Sequence, residues 1–223
     1  TGKPINILLC ENLNNIDGYM RNLLVKDLDT EKAILLEKKV GLLSTSIGRM
    51  IPVSSEATKS IHPMAIKVEP YKLLPYDGSA VKGIMPNVTG LIWDKNVDFD
   101  YYSERKLYIH NLGHCMIAYF AEIFGYKYIE EAVMNPEVRY IVRSAMIESA
   151  MALSKKYRYP INKIIKHIDN LLMRFGNKSL MDTCGRVGRD PVRKLKSDDR
   201  FLGALKVCIE QNISSRHVSL GVA

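Results

Sequence analysis

The sequence has no Cys-x-x-Cys pair, no apolar run long enough to cross a bilayer and no G-x-G-x-x-G turn. The four cysteines, Cys10, Cys115, Cys184 and Cys208, lie far apart. That scatter argues against a zinc site, which wants clustered Cys and His ligands, and against a disulfide scaffold. Reduced thiols in a cytoplasmic protein are expected instead. Spanning a membrane takes about 20 consecutive apolar residues, and no stretch reaches that length. INILLC near the start is too short for a signal-peptide core and lacks a basic flank and a small-residue cleavage site.

What is present is the balance of an ordinary soluble globular protein, with 47% hydrophobic and 25% charged residues among 223. The formal net charge is +8. Basic residues are not gathered in one block, nor interleaved with aromatics as in a base-stacking platform. The pattern therefore favours a small anionic ligand, such as a phosphorylated metabolite, over nucleic acid. An opening without methionine and an apolar, helix-like end (SRHVSLGVA) are expected of a portion of a longer protein.

PINILLCEN reads as a buried strand that ends at Glu11 and Asn12. Residues just past the carboxyl end of such a strand are well placed to touch a ligand. Helical spacing follows at Ile16, Met20, Leu23, Leu24 and Leu28, and a second helix is expected over Thr30–Val40. Leu42 to Ser55 reads as extended. Pro63, Pro70, Pro75 and Pro86 mark turn-rich chain up to Asn96, with one or two edge strands. Beyond Asp100 the reading is helical. One long helix covers Tyr101–Phe124 and stops at Gly125. A short one covers Tyr128–Met134. Asn135-Pro136 then opens a helix to about Tyr157. Ile161–Phe175 is amphipathic and closed by Gly176. CGRVGRDPVRKLK is expected to be a basic loop, and Ser197 to cap a last full helix through Gln211. The expected class is mainly α (α+β), a multi-helical domain with a few N-terminal strands.

The long helix carries KLYIHNLGH. At about 100° per residue, Lys106, His110, His114 and Asn111 fall at about 0°, 40°, 80° and 140° on one side. Leu107, Ile109, Leu112, Met116 and Ile117 share the rest of its surface. Gly113 lies beside the polar side and permits close approach. Taken singly, each polar residue reads as a solvated side chain; together, among apolar neighbours, they suggest a pocket. A lysine among cations and apolar groups loses its proton more readily and can serve as a general base. An asparagine amide can donate to a developing alkoxide. Such a set suits alcohol oxidation without a metal, with hydride passing to a nicotinamide.

The spacing K-x4-N-x2-H in ERKLYIHNLGH, with GHCMIAYFAEIFGY after it, resembles the polyol-specific long-chain (mannitol) dehydrogenases. CEN, IGRMIPVSSEAT and GRVGRDPVRKLKSDDR, in that order along the chain, resemble further segments of the same family. The resemblance implies an NAD-dependent oxidoreductase of a sugar or polyol phosphate, interconverting mannitol 1-phosphate and fructose 6-phosphate. It implies Lys106 as base, Asn111 and Asn12 as amides polarising the reacting oxygen, and His114 as a substrate-orienting group. It puts Arg186 and Lys194 on the substrate. Arg189 and Arg193, in the same loop, have the fork geometry that suits a phosphate. His110 takes no role from the motif.

Two departures stand out. The family segment usually has Asp before the arginine, where this sequence has Gly48 before Arg49. GRVGRD has the wrong spacing for a phosphate turn and follows no strand. The expected organisation is therefore residues 1–15 as the last strand and loop of an N-terminal Rossmann domain otherwise missing, and 16–223 as the helical C-terminal domain, inactive by itself. Alternatives are a dehydrogenase of an unphosphorylated polyol or hexuronate, and a non-enzymatic basic helical binding module.

Overall fold

The computed structural model describes residues 2–13, 15–52 and 55–223. The chain forms two compact units, Thr1–Arg49 with Pro70–Ser103, and Met50–Glu69 with Glu104–Ala223.

In the first unit, β1 (Ile5–Leu9) and β2 (Val40–Ser44) pair in parallel, with Ile5 opposite Val40 and Leu9 opposite Ser44. Parallel neighbours need a long crossover. Helices α1 (Ile16–Val25) and α2 (Thr30–Lys39) supply it. Asp29 starts α2 by accepting the Lys32 N–H at 2.8 Å. The centre of β2 is buried at Gly41, Leu42 and Leu43, as expected where both faces of a parallel strand are covered. Leu9, Ile16 and Leu42 form a small core against Met20 and Val40. The Thr45 hydroxyl donates to the Leu9 carbonyl at 2.9 Å, which ties the ends of the two strands together. The proline-rich stretch contributes the two-residue strands β3 (Leu74–Pro75) and β4 (Leu91–Ile92), also parallel, with a 3-10 turn at Gly78–Ala80 between them. Val53 and Ser54, in the segment expected to be extended, lie outside the described residues.

The second unit is helical. After the short α3 (Glu56–Lys59) come α4 (Asp100–Arg105), which begins in the first unit, α5 (Leu112–Phe124), α6 (Ile129–Met134), α7 (Pro136–Tyr157) and α8 (Ile161–Phe175). The short α9 (Cys184–Gly188) and α10 (Pro191–Lys194) precede α11 (Leu202–Glu210) and α12 (Arg216–Leu220). Helix α5 is its centre: Leu112, Cys115, Met116, Ile117 and Ala121 are fully buried, and α6, α7 and α9 pack around it. Gly113 lets α7 approach closely, since a Cβ there would lie 2.6 Å from the Met146 sulfur. Gly125 ends α5 at φ 74°. Asn135 caps α7 through the N–H groups of Glu137 and Val138 at 2.8 and 3.2 Å, with Pro136 in the first turn.

Two expectations need correcting. The basic segment CGRVGRDPVRKLK is two short helices, because Thr183 and Asp190 each cap a turn through the N–H groups of Arg186 and Arg193. The last long helix begins at Leu202, not after Ser197. Asp199 instead spends its carboxylate on the N–H and side chain of Arg200 and on Arg193.

Candidate active site

The helix expected over Tyr101–Phe124 is not uniform. Between α4 and α5 the backbone opens into a π turn, Lys106–Asn111, and the Leu112 N–H reaches the Leu107 carbonyl five residues back. This corrects the angular map drawn from α-helical spacing, which set Lys106 and Asn111 about 140° apart. The i→i−5 bonding of a π turn widens the helix locally, so α-helical spacing does not hold between Lys106 and Asn111. Lys106 and Asn111, both half-buried, are five apart and bound this turn. π turns inside α-helices are frequent at functional sites because the extra residue re-aims its neighbours.

One turn on, His110 is buried at 6%. Its ring meets Phe175 edge-on at 5.5 Å and His114 at 6.3 Å. His114 lies flat on Phe175, with ring centroids 4.8 Å apart and planes 4° from parallel. The His114 Nε2 is 3.2 Å from Asp182 Oδ2. The other carboxylate oxygen of Asp182 takes the fork of Arg186, whose Nε lies at 2.9 Å. Burial pushes the Asp182 carboxyl up, but His114 and Arg186 outweigh it and hold the group below its ordinary range. Two of the expected site residues, His114 from α5 and Arg186 from α9, thus meet through a residue that sequence reasoning passed over. The spacing of Asp182 and Arg186, four apart, is the signal that could have found it.

The remaining basic residues divide. Arg189 is exposed. Arg193 is half-exposed and shared between Asp190 at 2.8 Å and Asp199 at 3.2 Å. Lys194 is buried at 3%, its ammonium on the Val187 carbonyl and 5.8 Å from the Tyr119 ring centre. Burial holds its pKa below the ordinary lysine value. In the first unit, Asn12 is exposed just beyond β1, and its N–H is held by the Glu11 carboxylate at 2.8 Å. Gly48, where the family segment usually has Asp, faces the Tyr71 ring, which would lie 3.3 Å from a Cβ. Arg49 donates to the Tyr71 carbonyl. Among the described residues no three His, Cys, Asp or Glu side chains are grouped to hold a metal, and no helix is long and apolar enough to cross a membrane.

The Mannitol dehydrogenase C-terminal domain model matches residues 98–223. This chain belongs to the mannitol dehydrogenase family. The Mannitol dehydrogenase Rossmann domain model matches residues 1–90, farther than the strand and loop assigned to that domain from sequence. Mannitol-1-phosphate 5-dehydrogenase of Buchnera aphidicola subsp. Acyrthosiphon pisum (strain APS) is 32% identical over 221 residues, covering 99% of this chain and 56% of that protein. The chain thus spans about half the length of the curated relative it matches. A D-sorbitol dehydrogenase in substrate-free form superposes with a TM-score of 0.82 at 18% identity, over 99% of this chain and 47% of that one. A Pseudomonas fluorescens mannitol 2-dehydrogenase, in ternary complex with NAD and D-mannitol, gives 0.72 at 19% identity, over 99% and 46%. At these identities the two structures establish the shared fold.

The imidazoles of this family member carry a stability prediction. Burial, reinforced by His114, Arg174, His167 and Lys106, holds His110 well below the ordinary value of 6.5. Burial with Arg105 and Arg174 does the same for His167. Unfolding restores the ordinary value, so below pH 6.5 the unfolded chain binds more protons. Stability is therefore complete above that pH and falls as pH drops below it. Denaturant titrations at pH 8, 6.5 and 5.5 should show a slope approaching about 1.4 kcal/mol per pH unit from His110 alone. The slope should shrink in His110→Leu, and equal slopes in the two proteins would refute the assignment.

Proposed function

We propose that the protein carrying this chain is an NAD-dependent oxidoreductase that interconverts mannitol 1-phosphate and fructose 6-phosphate without a metal. Lys106 is the general base that takes the hydroxyl proton. Asn111 donates to the oxygen as charge develops on it, where a fixed amide is worth most. His114 orients a neighbouring hydroxyl, and Arg186 reaches the substrate. Arg189 supplies the fork for the phosphate. Lys194 joins the set on the resemblance and Arg193 through its place in the same basic segment, although Lys194 lies on the Val187 carbonyl and Arg193 is held by Asp190 and Asp199. Asn12 joins the set on the resemblance alone.

The observation that carries this reading is the π turn. It spans the K-x4-N pair itself, Lys106 to Asn111, and π turns inside α-helices are frequent at functional sites. The basic residues of α9 and α10, among them Arg186 bonded to the partner of His114, support an anionic substrate. The 32% identity to a mannitol-1-phosphate 5-dehydrogenase supports the phosphorylated form.

The nicotinamide, when bound, accepts the hydride. The residues present fit part of a dinucleotide. The carboxyl ends of parallel strands, where β1 runs into Glu11 and Asn12, are where such ligands lie in open α/β sheets. The 223 residues contain no G-x-G-x-x-G turn for the pyrophosphate.

The test is NADH oxidation by the native protein with fructose 6-phosphate and with fructose. Turnover of the phosphate ester at least about tenfold better in kcat/KM is expected, as for a charge-assisted contact worth about 1.5–3 kcal/mol. Arg189→Ala should erase that preference and leave fructose turnover unchanged. Preference for free fructose, or for a hexuronate, would replace the substrate and keep the mechanism.

A further inference from the structure

Asp182 takes no role from the family motif, yet it touches two residues that do. Its carboxylate is 8% exposed. One oxygen lies 3.2 Å from His114 Nε2, and the other receives the Arg186 fork with Nε at 2.9 Å. Neither partner turns away easily. The His114 ring is clamped flat on Phe175 and flanked edge-on by His110. The backbone at Asp182 is pinned as well, because its carbonyl accepts the Ile129 N–H at 2.9 Å. The next residue, Thr183, caps α9 through the Arg186 N–H at 3.3 Å.

A carboxylate only accepts hydrogen bonds, and a neutral imidazole has one donor and one acceptor nitrogen. The Nε2 facing Asp182 must then carry the proton, and Nδ1 is left with its lone pair. We infer that Asp182 is a positioning residue that holds His114 in the Nε2–H form, so that Nδ1 accepts a hydrogen bond from a substrate hydroxyl. For a neutral imidazole the ring form follows from the contact with Asp182, whereas its use on substrate rests on the proposed function. A lone pair at Nδ1 welcomes a hydroxyl donor and repels a carboxylate or phosphate oxygen. The group beside His114 is therefore a hydroxyl of the polyol chain. The acid end of a hexuronate is disfavoured there, and a phosphate must lie elsewhere.

The experiment is a long-range 1H–15N correlation spectrum of the 15N-histidine-labelled native protein at pH 8, with the His114 ring assigned by its loss in His114→Gln. A protonated Nε2 and an unprotonated Nδ1 are expected. In Asp182→Asn the amide –NH2 becomes a donor toward Nε2, and the proton should move to Nδ1. A wild-type ring in the Nδ1–H or doubly protonated form overturns the inference, and so does an unchanged ring in a folded Asp182→Asn. Should that variant fail to fold, the wild-type spectrum still decides. Polyol turnover in folded Asp182→Asn should fall by about 10- to 100-fold, the loss seen when a carboxylate that orients a metal-bound histidine is removed. Absence of polyol turnover in the wild type would count against the proposed function and leave the ring assignment standing.

Discussion

Lys106→Ala should lower kcat by about 10²- to 10⁴-fold, the range a positioned general base contributes. Lys106→Arg should be nearly as inactive, although it keeps the positive charge, because a guanidinium does not release its proton in a protein. That pair of variants separates two roles for the residue. A lysine that only attracts an anionic substrate would be replaced by arginine with a modest rise in KM. A lysine that takes a proton would not be replaced at all. Steady-state NADH oxidation by the native protein decides between them, and an active Lys106→Arg would remove Lys106 as the base. The same substitutions should leave the fold intact, since Lys106 is only half-buried at the edge of the π turn.

Glu69→Ala should destabilise the helical unit by about 3–5 kcal/mol, the usual cost of breaking a buried ion pair from one side. The Glu69 side chain is 1% exposed and that of its partner Arg174 is 7% exposed. Arg174 Nε donates to Glu69 Oε2 at 2.9 Å, and its terminal nitrogen reaches the other oxygen. The same carboxylate accepts the Met50 N–H at 2.6 Å. One carboxylate therefore closes both ends of the segment Met50–Glu69 onto α8. Truncating it removes a buried carboxylate from the guanidinium of Arg174 and the acceptor from the Met50 N–H. The melting temperature should drop by roughly 10 °C, at about 2–4 °C per kcal/mol for a protein of this size. Glu69→Leu combined with Arg174→Met should recover most of the loss, because removing both charges also removes their desolvation cost. A loss below about 1 kcal/mol in Glu69→Ala would mean that the pair contributes little. Arg174 also precedes Phe175, the ring on which His114 lies, so this pair supports the floor of the candidate site.

Much of this protein is legible one segment at a time. INILL is a strand, and Thr30–Lys39 is a helix opened by Asp29. Asn135 and Pro136 open α7, and Gly125 closes α5. Each of these is decided within a few residues, by backbone preference, a local side-chain cap or an apolar period. The K-x4-N-x2-H spacing is legible for the same reason, since one helix carries all three residues.

What the sequence by itself determined is therefore the helical class, the Asn135 cap, the Gly125 stop and the placing of Lys106, His110, Asn111 and His114 on one helical stretch. Tertiary packing decided the rest. The apolar period of the long helix does not disclose an extra residue in one turn, so the π turn over Lys106–Asn111 was invisible. Lys194 and Arg193 look alike in the sequence, yet one is buried against Tyr119 and the other is neutralised by two aspartates. Asp182 comes to His114, and Glu69 to Arg174, across long separations in the chain. A carboxylate takes its meaning from the charge it meets when the chain closes, and only the packed structure holds that information.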